Sequence, residues 1–256
     1  MTDADALAWR SRTLLLYGDD GAERIASSSV LVAGLGAVGS AAVEALARSG
    51  VGSLTLVDFD VVEPSNINRQ LCALRSTIGR PKSEIVASRV ADINPSCRVV
   101  AVRDRIPADL VAARAFLASL PRPDVVIDAI DDVEAKAALV SAALADGIPI
   151  ISSMGAARRF DPTKVRIGTL GEVAGCPLAK ALRRSLRAKI ADAEESGSAP
   201  TIPDPSGVTC VYSVEPPAKQ PSVRVDEPRA MGSSMCVTAT FGMSAAYAAI
   251  GRLFAD

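Results

Sequence analysis

Apolar and polar positions alternate along the chain in two distinct periods. Residues 29–34 (SVLVAG) are a short β-branched run ending at glycines, which predicts a buried strand. Residues 37–49 follow with helix formers and stop at Gly50, a typical helix C-cap residue. Residues 53–58 (SLTLVD) predict a second strand, and 82–93 a helix that stops before Asn94-Pro95. Residues 97–102 (CRVVAV) and 124–130 (DVVIDAI) read as the third and fourth strands. An Ala-rich helix over 133–146 ends at Gly147, and 148–153 (IPIISS) is a fifth strand. Strands alternating with helices imply a parallel sheet covered on both faces.

Beyond residue 155 the texture changes. Residues 164–170 and 207–215 alternate like strands, and 177–190 predict a helix with Leu178, Leu182, Leu186 and Ile190 on one stripe. Two breaker-rich stretches, 191–206 and 216–232, read as mobile loops or lids. The expected fold is α/β: a Rossmann-like, mostly parallel sheet with helices on both faces, continued by a mixed or antiparallel C-terminal part. The second half is too strand-poor to hold a core of its own, so 1–256 is read as a single domain.

Composition narrows the chemistry. There is no histidine, which excludes Ser-His-Asp and Cys-His catalysis and His-ligated metals. The five cysteines (Cys72, Cys97, Cys176, Cys210, Cys236) form no C-x-x-C pair, so neither a disulfide framework nor a four-cysteine zinc site is expected. Their scatter fits a reducing cytoplasm. The N-terminus has no apolar core of a signal peptide. The long uncharged run from Ala230 to Gly251 is made of small residues and predicts a buried C-terminal helix, not a membrane span. A net charge of −1 excludes a uniformly basic nucleic-acid binder but not a local patch.

Gly34, Gly36 and Gly39 form G-x-G-x-x-G between the first strand and its helix, and Asp58 ends the second strand nineteen residues after Gly39. In that setting glycines let the backbone approach a phosphate, the helix N-terminus supplies N–H donors, and the acid suits ribose hydroxyls. The motif does not separate NAD from ATP. The next segment does: Asn66, Asn68, Arg69 and Gln70 lie together, and Lys82 follows thirteen residues after Arg69. Fixed cations of this kind suit a triphosphate and its departing pyrophosphate. Asp128, Asp131 and Asp132 close the fourth strand, where carboxylates suit Mg²⁺; the plainer reading is Asp128 or Asp131 capping the next helix.

Together, G-L-G-A-V-G-S, D-F-D, S-N-I-N-R-Q, G-R-P-K and D-A-I-D resemble the adenylating superfamily of the ThiF, MoeB and ubiquitin-activating enzymes. Three later stretches, I-I-S-S-M-G with F-D-P-T, C-P-L-A-K-x-L-R-R and C-V-Y-S-V-E-P-P, resemble one branch of it, the tRNA threonylcarbamoyladenosine dehydratases (TcdA/CsdL type). The zinc-bearing members that activate sulfur carriers have two C-x-x-C pairs, and this sequence has none.

The resemblance implies an E1-like fold with 1–155 as the nucleotide-binding half and 156–256 facing tRNA and forming a homodimer. It implies ATP and Mg²⁺ as cofactors and no zinc. It places Gly36 and Ala37 at the phosphates, Asp58 at the ribose, Asn66, Arg69 and Lys82 at the triphosphate, and Asp131 on Mg²⁺. Arg12 would act across the dimer. Ala37 departs from the family's usual third glycine. The implied substrate is tRNA carrying N6-threonylcarbamoyladenosine (t6A) at position 37, in tRNAs that read ANN codons; a sulfur-transfer partner protein is admitted.

The chemistry implied is ATP-dependent closure of t6A to its cyclic form through adenylation of its carboxylate. Arg69, Lys82 and Arg12 would spread the developing charge. Ring closure needs no enzymic nucleophile; Cys210 is the candidate for one, against its reading as a core residue on the inner face of a strand. Residues 158–189 hold nine cations against Asp161 and Glu172, a local +7 that leaves −8 on the rest of the chain. Arg158, Arg159, Lys180, Arg183, Arg184 and Arg187 are the tRNA-binding candidates, with a solvated helix face as the plainer reading. Three rivals stand beside the dehydratase: an enzyme adenylating a ubiquitin-like or sulfur-carrier C-terminus, an NAD-dependent oxidoreductase, and a non-catalytic binding module.

Overall fold

The computed structural model describes residues 3–196, 202–222 and 231–254. It contains α1 (Asp3–Ser27), β1 (Ser29–Ala33), α2 (Ala37–Ser49), β2 (Ser53–Val57), α3 (Lys82–Ile93), β3 (Arg98–Val102) and α4 (Leu110–Ala118). Then follow β4 (Val125–Asp128), α5 (Val133–Ala145), β5 (Ile150–Ser153), β6 (Val165–Thr169), α6 (Pro177–Ser196), β7 (Thr209–Ser213) and α7 (Met235–Phe254). The strands form one seven-stranded sheet in the order β3-β2-β1-β4-β5-β7-β6. All neighbours are parallel except β6, which runs antiparallel to β7. The expected mostly parallel sheet with a mixed C-terminal part is what the chain forms.

β2, β4 and β5 are buried along their whole length, and β1 at all but its first residue, because both faces of the sheet are covered there, whereas the edge strands β3 and β6 are partly exposed. On β1, Val30 and Val32 point into one core with Leu46 of α2, Val86 of α3 and Phe241 of α7. Leu31 and Ala33 point into the other, with Leu117 of α4, Leu139 of α5 and Leu182 and Leu186 of α6. The leucine stripe predicted for 177–190 therefore packs as expected, but α6 runs on to Ser196 and absorbs the start of the stretch read as a loop. The remainder of the two breaker-rich stretches includes 197–201 and 223–230, which lie outside the described residues.

Two helices were not foreseen, α1 and α4. Strand order reverses between β1 and β4, so a crevice opens there at the carboxyl edge of the sheet. The first turn of α2 borders that crevice and rests on α7. A β-carbon at Gly242 would collide with the carbonyl oxygen of Val38 and with Ala41, so only glycine lets the two helices meet this closely. Among the described residues no helix is long and apolar enough to cross a membrane.

Candidate functional site

A broad cleft lies over the carboxyl ends of β2, β1, β4 and β5. Its wall includes Gly34, Gly36, Ala37, Asp58, Asn66, Asn68, Arg69, Gln70, Lys82 and Asp131. All the positions read from sequence as nucleotide contacts thus face one space, except Gly39 and Arg12. Gly39 is a packing glycine: a β-carbon there would strike the carbonyl oxygen of Gly34. Arg12 is exposed on α1 and does not line this cleft.

The glycine turn is shaped for close approach. Gly34 has φ 85°, and a β-carbon on it would lie 2.8 Å from the Ala129 carbonyl oxygen. Gly36 is the N-cap of α2 and carries no side-chain cap; a β-carbon there would meet only Gln70 Nε2, at 3.8 Å. The first turn of α2 has no acidic residue, so its N–H groups and positive dipole end face the cleft unneutralised. Ala37 is the first helical residue and lines the cleft.

Asp58 is buried, and its carboxylate accepts N–H bonds from Leu35 (2.6 Å) and Asp60 (2.8 Å). Burial pushes its carboxyl above the ordinary range, opposed by those two bonds and by Lys82. Lys82 opens α3 and is itself buried, its Nζ 2.9 Å from Asp60 Oδ2. Asn66 is committed to shape: its Oδ1 accepts from Glu63 N at 3.2 Å and closes the 3₁₀ turn Pro64–Asn66. Arg69 Nη1 donates to Ser65 O (2.9 Å) and Asn68 Oδ1 (3.0 Å), which leaves the rest of its fork toward the cleft. Asn68 Nδ2 donates to Ser233 O at 3.0 Å, tying the turn to the segment before α7.

The three aspartates after β4 divide their work. Asp128 is fully buried; it pairs with Lys136 Nζ at 2.9 Å and accepts from Ser152 Oγ (2.6 Å) and Ile130 N (3.1 Å). Lys136 also donates to Ile130 O at 2.9 Å. Asp132, and not Asp128 or Asp131 as the sequence suggested, caps α5 through the N–H groups of Glu134 and Ala135. Only Asp131 is exposed on the cleft with its carboxylate uncommitted. No cluster of three or more His, Cys, Asp or Glu side chains suited to a metal occurs among the described residues. One free carboxylate beside a phosphate turn fits Mg²⁺, which takes one or two carboxylates and completes its shell from phosphates and water.

Sequence reasoning missed two parts of this site. Lys136 lies in an Ala-rich helix where nothing in the sequence singles it out, yet it is completely buried. Phe59 and Arg105 stack at the β2–β3 end of the cleft, Arg105 Cζ 3.8 Å from the ring centroid, offering a flat face to a base. Cys210 lies in the core, and burial pushes its thiol up to about 12, so it is protonated at neutral pH and unsuited to nucleophilic attack.

The basic segment also divides. Lys180, Arg184 and Arg187 are exposed on α6. Arg183 instead turns inward, its Nη1 bonded to Leu170 O (2.8 Å) and Val173 O (2.9 Å). Arg158 is half-buried with φ 59°, and Arg159 is 3% exposed, so Arg159 is withdrawn from any surface that could meet an RNA backbone. Both line the cleft.

Comparison with known proteins gives a consistent picture. Residues 10–253 match the ThiF family. The chain is 37% identical over 265 residues to the tRNA threonylcarbamoyladenosine dehydratase of Escherichia coli (strain K12), covering 97% of this chain and 95% of that protein. It is 45% identical over 177 residues to the dehydratase of the same name from Bacillus subtilis (strain 168), covering 69% and 68%. The crystal structure of the E. coli enzyme in complex with ATP superposes with a TM-score of 0.83 over 97% of this chain and 96% of that one.

Proposed function

This chain belongs to the ThiF family, and from that premise we propose that it is an ATP-dependent tRNA threonylcarbamoyladenosine dehydratase. It closes t6A at position 37 of tRNA to the cyclic form. The observation that carries this is the likeness to the E. coli dehydratase along nearly the whole chain, with the uncapped α2 turn, Lys82, Arg69 and Asp131 gathered on one cleft. Activation of a carrier-protein C-terminus is the lesser reading, because the relatives that cover 97% and 69% of this chain are dehydratases.

ATP lies along the carboxyl edge of the sheet. The N–H groups at Gly36 and Ala37 receive phosphate oxygens, Asp58 takes the ribose, and the Phe59–Arg105 pair backs the base. Asp131 would hold Mg²⁺, which would supply charge neutralisation. The t6A carboxylate attacks the α-phosphorus; the bond to the bridging oxygen breaks and pyrophosphate leaves. Arg69 and Lys82 stabilise the charge that builds on the departing group. Asp60 holds Lys82 in place for that task. A nitrogen or oxygen of the same modification then attacks the acyl carbon, closes a five-membered ring and expels AMP, which carries away the carboxylate oxygen. Both attacks gain from enforced proximity, and the second is intramolecular.

Homodimerisation would bring Arg12 of a second copy to the cleft, and exposed Leu15 and Leu16 beside it on α1 suit such a contact. Lys180, Arg184 and Arg187 form the RNA-facing surface, and a cytoplasmic setting suits this substrate. The deciding experiment incubates the protein with ATP, Mg²⁺ and t6A-containing tRNA, digests the RNA and weighs the nucleosides. Loss of one water, dependent on ATP and abolished in Arg69→Ala and Lys82→Ala, is expected. No mass change from a folded, ATP-binding protein refutes the assignment.

A further inference from the structure

Arg159 has an unusual position for an arginine. The residue is 3% exposed, and its Nε and Nη1 are buried without a hydrogen-bond partner. The residue nonetheless lines the cleft, on the side that follows β5. A buried cation with unmade hydrogen bonds is costly, and folded proteins rarely tolerate one without a reason.

The surrounding backbone holds it there. Arg158 adopts φ 59°, the sole left-handed non-glycine among the described residues. That conformation is clamped from both sides: Arg158 N donates to Gly232 O and Ala218 N donates to Arg158 O, each at 2.8 Å. On the far side of Arg159, the N–H groups of Phe160 and Asp161 bond to the Glu215 carboxylate at 3.1–3.2 Å. The carboxylate nearest in charge to Arg159 is therefore spent on backbone, and the strained turn presents the guanidinium inward.

Position selects the ligand. The phosphate turn follows β1, and Arg159 follows β5, two strands away across β4. At ~4.8 Å per strand the ends of β1 and β5 lie ~10 Å apart, and Arg159 follows β5 on the side of the cleft away from the Phe59–Arg105 pair beyond β2. An RNA backbone cannot reach a side chain this buried, whereas a slender anionic group projecting from a base can. We propose that Arg159 binds the acceptor carboxylate, its planar fork meeting the two carboxylate oxygens and aiming one at the α-phosphorus. This rests on the adenylation reading above and names the residue that selects t6A over unmodified adenosine. Arg159 stays protonated throughout; it neutralises the carboxylate before attack and lets it go once the acyl–phosphate bond has formed.

The test uses the full chain, ATP, t6A-containing tRNA and the same tRNA with unmodified adenosine, with Arg159→Gln and Arg159→Met. Arg159→Gln should lower kcat/KM for t6A-containing tRNA by about 10- to 100-fold. It should leave the KM for ATP within about twofold of wild type, and binding of the unmodified tRNA unchanged. Arg159→Met should hold or raise the thermal midpoint of the free protein, because it removes an unpaired buried charge. Wild-type turnover in Arg159→Gln overturns the proposal. So does a selective rise in the KM for ATP, which would make the guanidinium a nucleotide-phosphate ligand, and so does a lowered midpoint in both variants, which would make it a structural prop. If wild-type protein leaves t6A unchanged, the functional assignment itself fails, and this proposal falls with it before any variant is compared.

Discussion

Removing the Lys136 amine should be among the most damaging single changes in this chain. Lys136 and Asp128 are both completely buried, 2.9 Å apart, between β4 and α5. The lysine Nζ also holds Ile130 O, and Asp128 also holds Ser152 Oγ and Ile130 N. Lys136→Met fills much the same volume, so little of its effect is cavity formation. What it leaves is a carboxylate with no cation and no water. Breaking one side of a buried pair costs about 3–5 kcal/mol. In a chain of this size that is a fall of roughly 6–20 °C in the thermal midpoint. Asp128→Leu/Lys136→Met removes both charges and should recover most of the loss, since an apolar pair of similar volume is often as stable as the ion pair. Urea unfolding of the wild type, both single variants and the double variant closes the cycle. A cost below about 1 kcal/mol for Lys136→Met, or a double variant no more stable than that single one, would refute this account of the pair. Because the same network fixes Ile130, next to Asp131, dehydratase activity should fall in the double variant even where stability returns.

Other outcomes follow from the same geometry. Gly39→Ala should fail to fold stably, because its methyl group meets the Gly34 carbonyl, whereas Gly36→Ala should fold and lose ATP affinity; calorimetric titration with circular dichroism separates the two. The Cys210 thiol is raised from 9.0 to about 12, so the unfolded chain loses that proton first and stability falls as pH rises from 9 toward 12, by up to about 1.4 kcal/mol per unit. Below pH 9 the contribution is complete; urea midpoints of wild type and Cys210→Ala between pH 8 and 10.5 should diverge in slope, and parallel slopes would contradict it. Each alanine at Lys180, Arg184 or Arg187 should weaken tRNA binding without regard to sequence and flatten the plot of log affinity against log salt by about 0.7–0.9. An unchanged salt slope in the triple variant would remove this helix face from the RNA interface.

Of the five parallel strands of the first half, β1, β2, β4 and β5 were legible because strands buried on both faces leave short continuous apolar runs, and β3, at the exposed edge, because its valines still form a β-branched run. α1 was not. Its Leu14, Leu15 and Leu16 are consecutive, two of them exposed, and Gly18 breaks its helical geometry at φ 70°, so no clean stripe forms. α4 did carry a signal, with Asp109 as N-cap and Leu110, Ala113 and Leu117 on one face, but nine residues make a weak period. At the site, the glycine turn and Lys82 could be read because their chemistry depends on local order. Asp128, Asp131 and Asp132 could not be told apart, since their division depends on Lys136 and Ser152, which reach them from elsewhere in the fold. Arg159 counted toward a basic face because a linear tally of charge cannot register one left-handed residue that turns the next side chain inward.

The contact between Gly242 and Val38 joins the phosphate turn to a helix some two hundred positions later in the chain. A segment comprising the five parallel strands of the first half would therefore contain nearly every nucleotide contact and still lack the floor on which the first turn of α2 rests. Nucleotide affinity in this protein is thus a readout of completed long-range assembly: a translation product halted before α7 should be blind to ATP, and acquisition of ATP binding during refolding should report the docking of the last helix.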